Sequence, residues 1–314
     1  MNFRITAHHR GVWLVGDQPV TLAGSFDGVR PCVGDWVELR DTQIVAVAPR
    51  RTLFARKAAG SGVEVQPIAA NVDIAFLVMA MDHDFSLRRL ERYLVLTRES
   101  GARPVVLLTK ADLASDVAGR VAAAQAVVEG RDVHPIAAPS GQGIDDVWRY
   151  LTPGVTAVLL GSSGAGKSTL TNALLGEQRM ATREVREADS KGRHTTTHRE
   201  LVELPGGAFL IDTPGMRELQ LWASEESVNA TFGDVEHWAA QCRFSDCSHS
   251  NEPGCAVRQA VADGLLDPER LGSLHKLRKE AEHLAVQTDI HQMLARKAKW
   301  KSIHKAMRNV DKRR

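Results

Sequence analysis

One eight-residue stretch of the sequence has the composition of a phosphate-binding loop. It is Gly161-Ser-Ser-Gly-Ala-Gly-Lys-Ser168, which fits the pattern G-x-x-x-x-G-K-[ST] at every fixed position. Glycines such as Gly164 and Gly166 let the backbone curl, so that several N–H groups point at phosphate oxygens. We expect Lys167 to reach the β- and γ-phosphates of a nucleotide and Ser168 to hold Mg²⁺.

The sequence on either side supplies the structure that such a loop needs. The apolar run Thr156 to Leu160 predicts a buried strand before it. The stretch Thr169 to Leu175 predicts a helix after it, ended by Gly176, and we place Thr169 among the nucleotide-binding residues. The N-terminus of that helix adds partial positive charge for an anion. A chance glycine-rich turn is the alternative, but it would not need these two neighbours.

A second polar loop could recognise a base. The stretch Thr109-Lys-Ala-Asp112 follows an apolar run and resembles the guanine-reading motif N-K-x-D of GTPases, with threonine in place of the commoner asparagine. The carboxylate of Asp112 can accept hydrogen bonds from both N1–H and the exocyclic amine of guanine, whereas adenine offers no such pair of donors. The stem of Lys110 can lie over the base. An ordinary polar loop is the alternative.

A third loop, Ala137-Ala-Pro-Ser-Gly141, resembles the short Ser/Ala motif whose backbone supports the base in GTPases. We place Ser140 in the nucleotide site on this ground. The motif is weak when taken alone, and an ordinary polar loop explains it equally well.

A polar segment after the phosphate-loop helix has the character of a nucleotide switch. It ends in Gly192-Arg-His-Thr-Thr-Thr197. A switch needs a threonine that reaches Mg²⁺, and either Thr196 or Thr197 can serve. The imidazole of His194 can hold the attacking water by a hydrogen bond, although a solvent-exposed loop histidine is the alternative.

An apolar hairpin then leads into Asp212-Thr-Pro-Gly215, which matches the D-x-x-G motif. We expect Asp212 to act on Mg²⁺ through water and the N–H of Gly215 to sense the γ-phosphate. Many GTPases place a glutamine directly after this motif to orient water, but this chain has Met216 there. The sequence therefore predicts slow intrinsic hydrolysis and another group that positions the water.

Four residues with metal-binding side chains fall within fourteen residues near the C-terminus, at Cys242, Cys247, His249 and Cys255. Three thiols and one imidazole suit tetrahedral Zn²⁺. Because protein groups fill all four positions, we expect one structural zinc ion. Buried thiols beside an exposed histidine are the alternative. The remaining cysteine, Cys32, is expected to be a small core residue.

Three segments of different pattern must position these loops. Residues 1–70 contain short strands separated by turns, which predicts an OB-fold-like β-barrel that either binds RNA or serves as a structural barrel. Within it, residues 57–70 predict a linker. Residues 71–220 alternate strands and helices, which predicts an α/β domain with a mainly parallel sheet. Residues 221–314 predict a mainly α, zinc-binding domain.

The end of the chain is dense in positive charge. Nine lysine and arginine residues lie between Arg296 and the last residue, against one acid, Asp311, with Trp300 and His304 among them. A solvated helical tail and an RNA-binding tail both fit this composition.

Length and composition limit the class of protein. The 314 residues exceed one typical domain, and 43% hydrophobic residues suffice for packed cores. The formal net charge of +2 gives no global argument for nucleic acid. The apolar run Ile74 to Met81 is too short to span a bilayer, and no early segment has a signal peptide's apolar core. We expect a cytoplasmic monomer with no membrane or DNA partner.

The order of the motifs departs from that of ordinary GTPases, which run phosphate loop, switch, D-x-x-G, base reader and Ser/Ala loop. Here the base reader and the Ser/Ala loop come first. The site can still close, because strands are placed by pairing and not by chain order. This predicts a circularly permuted α/β GTPase domain, between an all-β barrel and a mainly α zinc-binding domain.

Barrel, permuted GTPase domain and C-x4-C-x-H-x5-C module together resemble one family, the circularly permuted GTPases that depend on the small ribosomal subunit and act late in its maturation. Further landmarks of this family are Val33-Gly-Asp-Trp-Val37 and Ala70-Asn-Val-Asp73. The resemblance implies hydrolysis of GTP to GDP and phosphate, stimulated by the small (30S) subunit. It also implies that the barrel and the zinc domain bind 16S rRNA.

Two other functions stay open on the sequence alone. A P-loop kinase or ATPase would have to bind adenine despite Asp112. A GTP-controlled RNA-binding assembly factor would bind RNA in its GTP state and show negligible turnover even with its partner present.

Overall fold

The computed structural model describes residues 2–9, 11–57, 65–128, 132–176, 199–212 and 223–287 of the chain. Two units follow from its contacts: residues 1–55 with 67–220, and residues 56–66 with 221–314. The domain limits predicted from the sequence, after residues 70 and 220, stay predictions.

The N-terminal strands close into a small barrel through one bent strand. They are β1 (Asn2–Arg4), β2 (Ala7–His9), β3 (Val12–Val15), β4 (Gln18–Leu22), β5 (Trp36–Arg40) and β6 (Gln43–Val47). Their order is β1-β5-β6-β4-β3-β2, and only the β4–β6 pair is parallel. Because β1 and β2 are two halves of one strand bent at residues 5 and 6, this order makes a ring of five strands. The predicted OB-fold barrel is therefore confirmed.

The barrel is filled by one inward-facing side chain from most of its strands. These residues are Ile5, Trp13, Val20, Val37 and Ile44, each at most 3% exposed. Trp13 also satisfies its indole N–H, which donates to the carbonyl of Pro31 at 3.0 Å. Burial of such side chains contributes roughly 1.5–3 kcal/mol each to stability, so the barrel has its own core.

A two-stranded ribbon follows the barrel, where the sequence predicts a linker. Its strands are β7 (Leu53–Lys57) and β8 (Val65–Ala70). The linker interpretation is wrong for the second strand, because Ile68 and Ala69 are fully or almost fully buried. Pro67 suggested an irregular segment, but proline is tolerated in a strand that has a partner on one side only.

A parallel sheet forms the centre of the nucleotide domain. Its strands are β9 (Ile74–Ala80), β10 (Arg103–Thr109), β11 (Val133–Pro135), β12 (Thr156–Leu160), β13 (Arg199–Glu203) and β14 (Phe209–Asp212). The order is β13-β14-β12-β9-β10-β11, and all pairs are parallel except the β13–β14 hairpin. Every residue of β9 and β12 is buried, as expected for central strands of such a sheet. The predicted mainly parallel sheet is confirmed.

Among the described residues, four helices lie in the connections between these strands. They are α1 (Leu87–Ser100), α2 (Val117–Val127), α3 (Ile144–Trp148) and α4 (Lys167–Leu175). The start of α1 is set by Ser86, whose side chain accepts a hydrogen bond from the N–H of Arg89. Its end is set by Gly101 in the left-handed conformation.

The barrel and the parallel sheet share one continuous set of strands. Strand β2 pairs antiparallel with β13, so the sheet order runs unbroken through twelve strands. Arg4 adds a side-chain connection, because its Nη2 donates to Thr156 Oγ1 at 2.6 Å. The same guanidinium lies 5.4 Å from the ring centre of Trp36 and 5.0 Å from that of Phe209. Both β12 and β14 are thereby tied to the barrel at their starts.

The two further family landmarks meet beside this connection. The side-chain amide of Asn71 donates to the carbonyl of Gly34 at 3.1 Å. A Cβ atom at Gly34 would lie 2.2 Å from the carbonyl oxygen of Ala70, so only glycine fits there. The next residue, Asp35, is fully buried and forms an ion pair with Arg50 at 2.8 Å. Close contact between the two segments therefore accounts for glycine at position 34 and asparagine at position 71.

The second unit is mainly helical, as predicted. Its helices are α5 (Glu225–Thr231), α6 (Gly233–Ala239), α7 (Ala256–Ala262) and α8 (268–287). Arg270 on α8 binds Asp234 through Nε at 2.5 Å and lies 4.6 Å from the ring centre of Phe232. A buried arginine with a carboxylate and an aromatic partner fixes the packing of α8 against α6. Within the described part of the chain, no helix has the length and apolarity to cross a membrane.

Candidate nucleotide site and metal centre

The phosphate loop lies between a fully buried strand and a helix, as the sequence predicts. It runs from the end of β12 to the start of α4. A Cβ atom at Gly161 would lie 2.4 Å from the carbonyl oxygen of Val78 on β9, so this glycine is required for close packing of the two strand ends. Gly164 and Gly166 have φ values of 77° and 87°, which favour glycine.

The lysine of this loop is held by the loop itself. Lys167 Nζ donates to the carbonyls of Gly161 at 2.8 Å and Ser162 at 2.5 Å. The loop therefore curls around its own ammonium group. A nucleotide phosphate would have to compete with these two carbonyls for Lys167. Ser168 and Thr169 follow in the first turn of α4, and both are partly buried.

The loop from Thr109 to Asp112, which the sequence predicts to read the base and which we call the base-reading loop, is hydrogen-bonded directly to the phosphate loop. Thr109 is 3% exposed, and its hydroxyl donates to the carbonyl of Ala165 at 2.7 Å. The threonine that replaces the usual asparagine thus connects the two loops. Lys110 adopts the left-handed conformation with φ 59°, which starts the 3-10 turn Ala111–Leu113. This turn leaves the carboxylate-bearing Asp112 exposed at the edge of the sheet.

The Ser/Ala loop lies beside the base-reading loop. The N–H of Ala111 donates to the carbonyl of Ile136 at 3.2 Å, and the N–H of Ile136 donates to Leu108 at 2.8 Å. Ser140 belongs to a 3-10 turn closed by Gly141, and its hydroxyl donates to the carbonyl of Ala137 at 3.1 Å. Three loops that the sequence separates are therefore brought to the carboxyl edge of one sheet, where ligands of open α/β folds bind.

Other predicted site residues lie outside the described part of the chain. These are His194, Thr196, Thr197 and Gly215, together with Met216. Asp212 is the last residue of β14, and of its side chain nothing is described. Because β14 runs parallel to β12, the backbone of Asp212 reaches the same edge of the sheet as the phosphate loop.

Two carboxylates at this edge were missed by the sequence reasoning. Asp82 binds the ammonium of Lys110 at 2.7 Å, and the carboxylate of Asp84 accepts a short hydrogen bond from the hydroxyl of Ser162. A signal was available, since both acids directly follow β9, a fully buried run that reads as a central parallel strand. They belong to no familiar motif, and motif matching therefore passed over them.

The four predicted metal ligands come together in the second unit. The ligand atoms of Cys242, Cys247, His249 and Cys255 all lie within 4.8 Å of one another. His249 Nδ1 is 3.6 Å from Cys242 Sγ and 3.5 Å from Cys255 Sγ, and these two sulfurs are 3.9 Å apart. In a tetrahedral zinc site, neighbouring sulfurs lie about 3.8 Å apart and sulfur and nitrogen about 3.5 Å apart. The residues therefore fit Zn²⁺.

The protonation of the cluster also suits a metal. Burial lowers the pKa of His249, aided by Arg278 and His275, which favours the neutral imidazole that binds metals. Burial raises the pKa of Cys247 to about 11, and its neighbours Cys255 and Cys242 add to this effect. Burial also opposes ionisation of Cys242, but hydrogen bonds from the N–H groups of Val257 and Ala256 and from the other two thiols outweigh it and lower the pKa of Cys242. A bound dication would favour the thiolate form of all three cysteines and release protons.

The carboxylate of Glu252 holds the loop that carries His249, the predicted histidine ligand. Glu252 accepts hydrogen bonds from the N–H groups of Ser248 at 2.9 Å, Ser250 at 3.0 Å and Asn251 at 3.0 Å. The hydroxyl of Ser248 also donates to it, and these bonds lower the pKa of Glu252 to about 2. The loop keeps His249 in the left-handed conformation, with φ 59°.

Comparisons with known proteins agree with this geometry. Residues 47–222 match the family model described as RsgA GTPase. A protein of Opitutus terrae named "Small ribosomal subunit biogenesis GTPase RsgA" is 49% identical over 293 residues, which cover 88% of this chain and 80% of that protein.

Two solved structures are similar over most of the chain. YjeQ from Thermotoga maritima is 26% identical, with a TM-score of 0.66 over 89% of this chain and 98% of that chain. YloQ, described as a circularly permuted GTPase, is 26% identical, with a TM-score of 0.62 over 90% of this chain and 95% of that chain. The predicted permuted GTPase fold, with its barrel and helical region, is confirmed.

Proposed function

The chain belongs to the RsgA GTPase family, and from that premise we propose that it hydrolyses GTP to GDP and phosphate during maturation of the small (30S) ribosomal subunit. The observation that carries this proposal is the hydrogen bond from Thr109 to Ala165, which joins a guanine-reading loop to a phosphate loop. With that bond in place, one nucleotide can contact Asp112 with its base and Lys167 with its phosphates.

The phosphate end of the site has the groups that charge stabilisation needs. Lys167 would exchange two loop carbonyls for β- and γ-phosphate oxygens. The N–H groups of the loop and the N-terminus of α4 would add partial positive charge for the same oxygens. Ser168 and one of Thr196 and Thr197 would hold Mg²⁺, with Asp212 acting through water. When bound there, Mg²⁺ would supply positive charge that neutralises part of the negative charge of the phosphates.

We propose that His194 positions the attacking water. Met216 stands where many GTPases have glutamine, and its thioether cannot orient a water molecule usefully. We expect His194→Ala to abolish most of the turnover stimulated by the small subunit, while GTP binding and docking to the subunit stay near normal. Stimulated turnover equal to that of the unchanged protein would remove His194 from the mechanism.

The partner is proposed to be the small subunit itself, bound through its 16S rRNA. The relatives' printed name supports the subunit as partner. The basic residues from Arg296 onward support contact with RNA, which should weaken steeply with salt. Deletion of residues 296–314 should reduce that salt dependence. We further propose a cytoplasmic monomer that carries one structural zinc ion.

The decisive experiment is GTP turnover with and without purified small subunits. Strong stimulation by the subunit supports the proposed function. Negligible turnover in both conditions would favour the non-catalytic assembly factor. Competition by ATP as effective as that by GTP would favour a P-loop ATPase, because Asp112 would then have no role in base choice.

A further inference from the structure

The loop after β9, residues 81–86, lies between the two nucleotide-binding loops. Strand β9 pairs with β12 on one side and with β10 on the other, so its carboxyl end opens between the phosphate loop and the base-reading loop. The loop is short and internally bonded. The N–H of Asp84 donates to Asp82 Oδ1 at 2.8 Å, and the N–H of Phe85 donates to the carbonyl of Asp82 at 3.1 Å.

The first carboxylate of this loop holds the base reader. Asp82 Oδ2 is 2.7 Å from the ammonium of Lys110, and both side chains are about three-quarters buried. Burial opposes ionisation of Asp82, but the Lys110 ammonium and the N–H of Asp84 outweigh it and hold its pKa below the ordinary value. Lys110 is therefore fixed at its charged end, with its stem left to lie against a base.

The second carboxylate holds the phosphate loop. Asp84 Oδ2 accepts a short hydrogen bond from the hydroxyl of Ser162, a residue of the phosphate loop. A negative charge here would repel a nucleotide phosphate if it were alone. It is compensated by Arg89 on α1, whose Nη1 lies 2.6 Å from the same carboxylate oxygen and also donates to the carbonyl of Asp84 at 3.2 Å.

We propose that Asp82 and Asp84 are positioning residues that brace the base-reading loop and the phosphate loop against each other. Neither touches the nucleotide in this proposal, which rests on the proposed GTP site. Asp84 acts through Ser162, and Asp82 acts through Lys110. Loops held in their binding geometry lose less freedom when the ligand arrives, so the brace should raise nucleotide affinity and slow nucleotide release.

The test is a double-mutant cycle on the rate of GDP release from the full-length protein. Asp84→Ala and Ser162→Ala each remove one partner of the same hydrogen bond. We expect each to speed release by about tenfold, the size typical of one hydrogen bond to a charged group. We expect the double variant to release GDP no faster than about tenfold as well, because the bond can be lost only once.

The control is Asp132→Ala, which removes an aspartate paired with Arg103 at 2.5 Å near the opposite ends of the strands. Its GDP release should match that of the unchanged protein. If the increases in GDP release rate caused by Asp84→Ala and Ser162→Ala multiply in the double variant, the two residues do not act through one hydrogen bond and the proposal is wrong. Should Asp84→Ala fail to fold, Ser162→Ala decides alone, and unchanged GDP release in it overturns the brace.

A second experiment tests the role of Asp82. It also distinguishes failure of this proposal from failure of the proposed GTP site on which it rests. Asp82→Ala should weaken GDP binding several-fold and leave the preference for guanine over xanthine unchanged, because Asp112 still reads the base. A changed preference would make Asp82 a base reader and overturn its positioning role. If the wild-type protein binds no GDP, the proposed function itself is wrong, and the positioning roles of Asp82 and Asp84 fail with it.

Discussion

The residues of the nucleotide site come from distant parts of the chain, whereas the Cys–His cluster lies within fourteen consecutive residues. Thr109 and Ala165 meet because β10 and β12, which lie on either side of β9, run parallel and end at the same edge of the sheet. The cluster residues meet because one loop turns back on the start of α7, with Cys255 as the N-cap of that helix. A sheet can therefore hold the first site without its ligand, whereas we expect the second to depend on a bound metal for much of its order.

We expect the largest effect from removal of the metal, which should change the second unit and leave the nucleotide site intact. Chelation of zinc from the full-length protein should loosen the second unit, because structural zinc contributes on the order of 10 kcal/mol to folding. Hydrogen exchange should then rise across residues 223–287, while GDP binding persists. Cys255→Ser should lose one equivalent of zinc, and Cys32→Ala, which removes a buried thiol from the first unit, should lose none. Protein purified without any zinc would end this prediction.

The next largest effect is expected from a change in Asp112, the residue proposed to recognise guanine. Asp112→Asn should weaken GTP binding by about a hundredfold or more, since the NH₂ group of asparagine faces one donor of guanine and its neutral oxygen accepts more weakly from the other. Xanthosine triphosphate should become the preferred ligand, because xanthine has a carbonyl where guanine has its amine. Competition binding measures both changes. Asp116→Asn is the matched control, because that carboxylate is also exposed but caps α2. An Asp112→Asn protein that still prefers GTP would refute the assignment.

A smaller effect is expected from the bond that joins the two loops. Thr109→Val keeps the shape of the side chain but leaves the carbonyl of Ala165 without its hydroxyl donor. We expect GDP affinity to fall about tenfold, which corresponds to roughly 1.4 kcal/mol. Thr97→Val removes a similar buried hydroxyl on α1, which donates to Tyr93 at 2.7 Å. That variant should lower the unfolding temperature without a change in GDP affinity, and equal affinity losses in both would count against the loop connection.

The smallest effect concerns the loop of the metal cluster. Glu252→Ala should speed zinc release several-fold, because the loop that carries His249 loses its acceptor for three N–H groups. Asp246→Ala, an exposed carboxylate in the same loop, is the control and should change little. Transfer of zinc to a chromogenic chelator measures both rates. If zinc release is equally fast in the two variants, loss of a negative charge explains the effect and the hydrogen bonds of Glu252 do not.

The pH dependence sharpens this prediction. The folded-state pKa of Glu252 is about 2, below the ordinary value of 4.5. The stability that ionised Glu252 contributes to the folded loop is therefore fully present above pH 4.5 and is lost as the pH falls towards 2. Any acid-induced zinc release between pH 7 and pH 5 must come from the ligands themselves, so the unchanged protein and Glu252→Ala should show parallel profiles in that range.

The sequence was most informative where a local pattern is sufficient for the chemistry. The phosphate loop and the cluster ligands each require a few residue types at fixed spacing, and the structure brings the described members together as predicted. The brace residues were missed because the partners of Asp82 and Asp84 lie on other loops, and only the sheet order makes them neighbours. The strand β8 was missed because Pro67 and the glycines before it resemble a linker, and its burial comes from tertiary contacts.

The pairing of β2 with β13 has a consequence for synthesis of the chain. Residues 7–8 lie opposite residues 199–200, so this edge of the barrel has no partner until most of the chain has been made. The barrel can close early, because its own strands end at residue 47, but β2 then waits as an open edge. The same late strand leads by a hairpin into β14 and Asp212. The strand that protects the barrel edge and the strand that ends at Asp212 are therefore made at the same late stage of synthesis.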